Sequence, residues 1–245
     1  MEIDTTVLLS PVVQKDDMKK TYDGSIQLIM GPMFSGKTTE LIRLIKRFTV
    51  SKKRTVILKY TKDVRYGEVN EAVSHDQEKW EAIPTMELMP CVKEALHYDV
   101  IGIDEGQFFP DLLEFSELMA DYGKRVIIAA LDGTFQRKVF GQITDIVPLC
   151  ESVRKLRAVC VFCGNKASFS MRTTEEESVE VIGGAEKYCA VCRKCYHDKC
   201  VFPQTRKIND FIEPSEKRKR KDHEKLDQWS SLIIPSAICE DSQTA

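Results

Sequence analysis

From Ser25 onward the chain alternates short apolar runs with stretches of helical spacing. "SIQLIM" (Ser25 to Met30) is almost wholly apolar and stops at Gly31 and Pro32, the pattern of a buried strand ended by a turn. In "KTTELIRLIKRF" the apolar positions are Leu41, Ile42, Leu44, Ile45 and Phe48, with basic residues between them. That spacing predicts an amphipathic helix. "RTVILKY" (Arg54 to Tyr60), "DVIGID" (Asp99 to Asp104) and "RVIIAAL" (Arg125 to Leu131) read as three more strands. Helices are expected at Met86 to Ala95 and Leu112 to Tyr122. Strands that are apolar on both sides and alternate with helices predict an α/β fold, a parallel sheet with helices on both faces.

Outside this alternation the pattern changes. Residues 1–24 have no period and are rich in Thr, Asp and Lys, as in a flexible N-terminal arm. The α/β region is expected over residues 25–157. Residues 158–203 carry short strand-like pieces, paired cysteines and the Gly183–Gly184 pair, the marks of a small metal-stapled lobe. Residues 204–245 are polar and charged and include "EKRKRKDHEK", which predicts a largely disordered tail. The Lys217–Lys221 run within it reads as a nuclear localisation signal, a weak nucleic-acid patch or plain solvated charge.

Composition narrows the functional classes. The net charge of −2 argues against a polycation drawn as a whole to nucleic acid or membrane. No apolar run reaches the roughly 20 residues of a membrane span, and the first twenty residues lack a signal pattern. Nine cysteines without such a signal imply a reducing, cytoplasmic setting in which they serve as thiols or metal ligands.

Two segments carry phosphate chemistry. Gly31, Gly36, Lys37 and Thr38 fill the pattern G-x-x-x-x-G-K-S/T between an expected strand and an expected helix, which is the context that the motif requires. Gly31, Pro32, Met33, Phe34, Ser35, Gly36, Lys37, Thr38 and Thr39 would thus cradle the phosphates of ATP. Lys37 would reach the β- and γ-phosphates and Thr38 would ligate Mg²⁺. "VIGIDEGQFF" places Asp104 and Glu105 at the C-terminal end of a strand, where open α/β sheets bind ligands. Asp104 suits the metal and Glu105 is then available as a general base. A water acceptor would make this an ATPase, and a hydroxyl acceptor a kinase.

Cys160 and Cys163 form one C-x₂-C pair and Cys192 and Cys195 another, the spacing of a structural Zn²⁺ site. Cys189, His197 and Cys200 lie close enough in sequence to replace one of the four.

Taken together and in order, "GPMFSGKTTEL", "KYTKDVRY", "DEGQFFPD", "ALDGTFQRKVFG" and "EVIGGAEKYCAVCRKCY" resemble the type II, cellular-type thymidine kinases over roughly residues 25–200. The resemblance implies transfer of the ATP γ-phosphate to the 5′-hydroxyl of thymidine or deoxyuridine, for nucleotide salvage. It also implies a P-loop, recombinase-like sheet, a zinc lobe with a lasso-like loop, a homotetramer, and feedback inhibition by thymidine triphosphate. Its motifs imply Glu105 as catalytic base and Arg65 near the transferring phosphate. They imply Met33, Phe108, Leu131, Phe135 and Phe140 as walls around the base, with Tyr188 touching the nucleoside and Val179 offering backbone groups to the base edge. The family pattern also selects Cys192 and Cys195 for the metal. Ser170 stands where the family usually has a threonine near the thymine methyl, which enlarges the pocket by one methyl. Taken alone, the aromatics read as ordinary core and Arg65 as a surface charge. A competing class is a nucleic-acid-stimulated ATPase with the metal lobe as a DNA contact. The acidic "TTEEESVE" in that lobe opposes it, so no stable nucleic-acid partner is expected.

Overall fold

The computed structural model describes residues 22–61, 71–73, 79–174 and 187–199. Arg65, Val179, Cys200, the lasso-like loop and the tail with its basic run lie outside them. The strands are β1 (Ser25–Gly31), β2 (Thr55–Tyr60), β3 (Glu71–Val73), β4 (Lys79–Glu81), β5 (Ile83–Thr85), β6 (Val100–Asp104), β7 (Arg125–Leu131), β8 (Ser152–Lys155), β9 (Ala158–Val159), β10 (Lys166–Ala167), β11 (Phe169–Arg172) and β12 (Tyr188–Val191). The helices are α1 (Lys37–Val50), α2 (Val92–Ala95), α3 (Leu112–Asp121) and α4 (Arg193–Lys199).

Six strands form one sheet in the order β5-β2-β6-β7-β1-β8, and every neighbouring pair is parallel. Side chains alternate faces along each strand, so the sheet has two cores. One face carries Ile26, Leu28, Ile101, Ile103, Val126 and Ile128 and packs against Leu112, Phe115 and Met119 of α3. The other carries Ile29, Ile57, Ile127 and Ala129 and receives Leu41, Ile42, Leu44 and Ile45 of α1. The helix spacing predicted for 37–48 is the stripe that packs here. Gly102 lets α1 come close: a Cβ there would stand 3.1 Å from Ile57 and 3.2 Å from Leu41. The fold is therefore the two-faced parallel α/β sheet expected, with a third cluster around the cysteines formed by Ala158, Cys160, Ala167, Met171, Ala190, Val191, Cys195 and Tyr196.

The expected helix over Met86–Ala95 is not formed as one element. A 3₁₀ turn spans Met89–Cys91 and only Val92–Ala95 is α-helical. Pro90 has no N–H to donate and disrupts a continuous helical ladder. The Asp111 carboxylate instead accepts the N–H groups of Leu88 (2.8 Å) and Met89 (2.7 Å). The edge strands β5 and β8 and the short α4 had no clear pattern in the sequence. β8 is exposed at all four positions, so it lacks the apolar run that marks the central strands.

Asp111 therefore supports a segment that its own helix does not include. Asp111→Ala should destabilise the protein by about 1–3 kcal/mol, because two partly buried donors lose their acceptor. Asp111→Asn keeps an acceptor oxygen and should cost less. Urea midpoints of the two variants measure the difference.

Candidate active site

The phosphate loop leaves β1 at Gly31 and enters α1 at Lys37. Gly36 takes the left-handed conformation (φ 80°) at the start of α1, which a residue with a Cβ adopts only with strain. At Gly31 a Cβ would lie 2.7 Å from the Leu156 carbonyl oxygen, so the loop presses on the segment after β8. Ser35 Oγ and Lys37 Nζ both donate to the Pro32 carbonyl, at 2.8 and 2.9 Å. These bonds curl the loop on itself around the start of α1, whose N-terminal N–H groups favour anions. Thr39 follows in the first turn of the helix.

Asp104 ends β6 and is 3% exposed. The Thr38 hydroxyl donates to its Oδ1 at 3.0 Å. The two side chains predicted to share a Mg²⁺ thus stand together, one from the loop and one from a strand end. Lys59, at the matching position of β2, pairs in register with Asp104 and is equally buried. It was not singled out in the sequence, where a lysine near the end of a strand reads as solvated.

Glu105 follows in the left-handed region (φ 56°) and opens the 3₁₀ turn Gly106–Phe108. A non-glycine residue there costs about 1–2 kcal/mol, and such residues cluster at functional sites. Phe34 in the phosphate loop is the same case (φ 62°). Gln107, buried just beyond, donates to Glu105 Oε2 at 2.5 Å.

The residues assigned to the base pocket converge. Met33, Leu131, Phe135, Phe140 and Tyr188 form one buried cluster, with Phe34 and Phe108 packed against it. Phe108 meets Phe140 edge-on at 5.4 Å and stacks on Tyr60 at 5.1 Å. These side chains come from the phosphate loop, the ends of β6 and β7, the following loop, and β12 of the second lobe. Ser170 of β11 joins them through its hydroxyl, which accepts the Met33 N–H at 2.9 Å.

Two buried residues behind this cluster escaped the sequence reading. Arg172 is 1% exposed, lies 3.9 Å from the centroid of the Phe135 ring and 5.1 Å from that of Tyr188, and donates to the Tyr188 hydroxyl at 2.5 Å. Tyr196 donates to the Phe135 carbonyl at 2.7 Å. A lone arginine in a short strand gives no sign in sequence that it will be buried under aromatic rings. A groove of about 660 Å³, lined by Trp80, Ile83 and Tyr98 among others, lies at the start of β2 and beside β5. It gathers none of the phosphate-loop residues and neither Asp104 nor Glu105.

Cys160, Cys163, Cys192 and Cys195 have sulfurs within 4.8 Å of one another. Sulfurs on a tetrahedral Zn²⁺ with bonds of 2.3 Å stand about 3.8 Å apart, and the Cys163–Cys192 pair is at 3.6 Å. The Cys195 N–H and the Asn165 amide point at Cys192 and Cys163 sulfurs, at 3.5 and 3.4 Å. Burial opposes ionisation of Cys160, yet backbone N–H groups of Cys192, Phe162 and Cys163 outweigh it and bring that thiol down to about 6. Cys195 is pushed up to about 12 by burial, by hydrogen bonds that its thiol donates to the other three sulfurs and by the Cys160 charge. Four sulfurs this close suit a dication that relieves their mutual repulsion. Cys189 and His197 are not in this group; His197 Nε2 lies 3.3 Å from the Arg137 guanidinium.

The comparisons with known proteins agree with this geometry. The family described as thymidine kinase matches residues 24–196. Thymidine kinase 1 of Dictyostelium discoideum is 54% identical over 177 residues, covering 71% of this chain and 78% of that protein. The human cytosolic thymidine kinase is 53% identical over 189 residues, covering 77% and 80%. The thymidine kinase of myxoma virus, strain Lausanne, is 53% identical over 175 residues, covering 71% and 97%. With a phosphate loop, an acidic strand end and an aromatic cluster assembled at one edge of a parallel sheet, and with these matches across most of its length, the chain belongs to the thymidine kinase family.

Proposed function

We propose that the protein transfers the γ-phosphate of ATP to the 5′-hydroxyl of thymidine. One observation supports this reading above others. The buried aromatic cluster of Met33, Leu131, Phe135, Phe140 and Tyr188 stands at the same strand ends as the Thr38–Asp104 pair, and Glu105 lies in the chain between Asp104 and the Phe108 wall. A planar pyrimidine fits flat apolar walls with a few fixed polar groups. A motor or switch has no use for such a cluster beside its phosphate loop.

In this reading the phosphate loop and Lys37 hold the triphosphate and orient its γ-phosphate. Mg²⁺, held by Thr38 and Asp104, would offset the charge on the β- and γ-oxygens. Glu105 takes the proton as the 5′-oxygen forms its bond to the γ-phosphorus. The bond from that phosphorus to the bridging oxygen breaks, and ADP leaves with the electron pair. Arg65 belongs to the same proposal as a cation near the transferring group, and Val179 as a backbone contact to the base edge.

Ser170 holds the Met33 N–H by its hydroxyl, a bond that a threonine could make equally. What it lacks is the methyl group. Deoxyuridine should therefore be discriminated only weakly from thymidine, by no more than the about 1–3 kcal/mol that a methylene-sized change is worth. The four-cysteine cluster takes a structural Zn²⁺ in this reading. A homotetramer, feedback inhibition by thymidine triphosphate, and a cytoplasmic setting with a nuclear fraction through Lys217–Lys221 complete the proposal. No helix among the described residues is long and apolar enough to cross a membrane.

A panel of deoxynucleosides with ATP should yield a 5′-monophosphate from thymidine and deoxyuridine, and little from deoxycytidine or purines. Release of inorganic phosphate alone, speeded by DNA, would support the ATPase reading instead. Glu105→Gln keeps the shape of the side chain but cannot take the proton. Its turnover should fall by roughly 10²–10⁴ with ATP affinity little changed, and near wild-type turnover would remove Glu105 from this role. Metal analysis should find about one zinc per chain. Cys195→Ser should lose it together with thermal stability, whereas Cys189→Ser should keep both.

A further inference from the structure

Gln107 lies outside the set of groups that touch ATP or thymidine in the proposed reaction, yet it is 3% exposed and both ends of its amide are engaged. Its Oε1 accepts the Leu131 N–H at 2.9 Å, and its Nε2 donates to Glu105 Oε2 at 2.5 Å. The backbone N–H of Leu131 can only donate, so the amide can be oriented only with its oxygen toward β7. The NH₂ group must then face Glu105. A donor aimed at that oxygen fixes which way the carboxylate faces.

The backbone around Gln107 is held as firmly as its side chain. A Cβ on Gly106 would lie 2.8 Å from Ile128, and one on Gly141 would lie 2.3 Å from the Gln107 carbonyl oxygen. Gly141 itself is left-handed (φ 53°) and follows Phe140 of the base pocket. The turn that carries Glu105 is thus clamped between β7 and the Phe140–Gly141 segment. Leu131, a wall of the proposed pocket, meets Gln107 through its backbone N–H, and Gly141, next to Phe140, lies against the Gln107 carbonyl.

We propose that Gln107 is a positioning residue: it holds the Glu105 carboxylate in one orientation and sets the base against the nucleoside pocket through Leu131. The inference rests on Glu105 being the base. Gln107 works through two hydrogen bonds of opposite polarity, so variants can remove one without the other.

Gln107→Met keeps the length and removes both bonds. Its kcat for thymidine should fall by roughly 10–10²-fold, part of what a general base contributes, while the KM for thymidine and for ATP stay within about threefold. Added to Glu105→Gln, the same substitution should cost less than about threefold, because the group it positions is already disabled. Gln107→Glu keeps an acceptor for Leu131 and removes the donor to Glu105. Its kcat for thymidine should fall by a similar factor with both KM values within about threefold, and added to Glu105→Gln it too should cost less than about threefold. If Gln107→Met does not fold, Gln107→Glu still decides. Wild-type kcat in either Gln107 variant, or an equal loss with and without Glu105→Gln, overturns the positioning role. Wild-type turnover in Glu105→Gln alone overturns the base itself, and separates that failure from the first.

Discussion

Parallel strands in matched register end side by side, and the whole site hangs on that geometry. Gly31 of β1 pairs with Leu131 of β7, and Lys59 of β2 pairs with Asp104 of β6. The phosphate loop, Leu131 of the buried aromatic cluster and the acidic end of β6 are therefore brought to one edge by the ladder hydrogen bonds of the sheet. The crossover helices take each chain end back to the opposite edge before the next strand begins. The register is held in turn by the two apolar faces. A slip of one residue in β6 or β7 would turn its core side chains to the other face and would move Asp104 away from Thr38.

The second lobe completes what the sheet begins. It reaches the phosphate loop through the Ser170–Met33 bond and the base pocket through Tyr188. Tyr196 braces the Phe135 carbonyl, and Arg172 lies under both Phe135 and Tyr188. The cysteine cluster stands immediately behind these strands: β12 runs into Cys192, and Cys195 and Tyr196 are neighbours in α4. A metal bound there would therefore act on the proposed nucleoside pocket by fixing the backbone that carries Tyr188 and Ser170.

Electrostatically the site balances acids against donors. Asp104 is nearly out of contact with water and accepts from Thr38. Glu105 is met by the Gln107 amide and held in a strained backbone conformation. Two adjacent carboxylates beside a triphosphate would repel it. Lys37 and Lys59 are buried on neighbouring elements, and Mg²⁺ in the proposed reaction would add to the opposing charge.

The amino-acid sequence by itself determined the local units. Continuous apolar runs marked β1, β2, β6 and β7, because a strand buried on both faces has no polar positions to spare. The spacing of Leu41, Ile42, Leu44 and Ile45 marked α1 and its buried side. The phosphate loop and the C-x₂-C pairs were legible because a tight anion cradle and a tetrahedral metal site constrain residues that are close in sequence. The strand order, the edge strands β5 and β8 and the break at Pro90 were decided by tertiary contacts. β8 has no buried face to imprint a pattern, and the Met89 turn is held by Asp111 from another element. The same holds for Gln107, Lys59, Arg172 and Tyr196. Each is a polar or aromatic residue whose partner lies far along the chain, such as Tyr196 with Phe135, or whose role depends on which strand stands beside it, such as Lys59 with Asp104. No local pattern records a partner that only the packing of the sheet and the second lobe brings within reach.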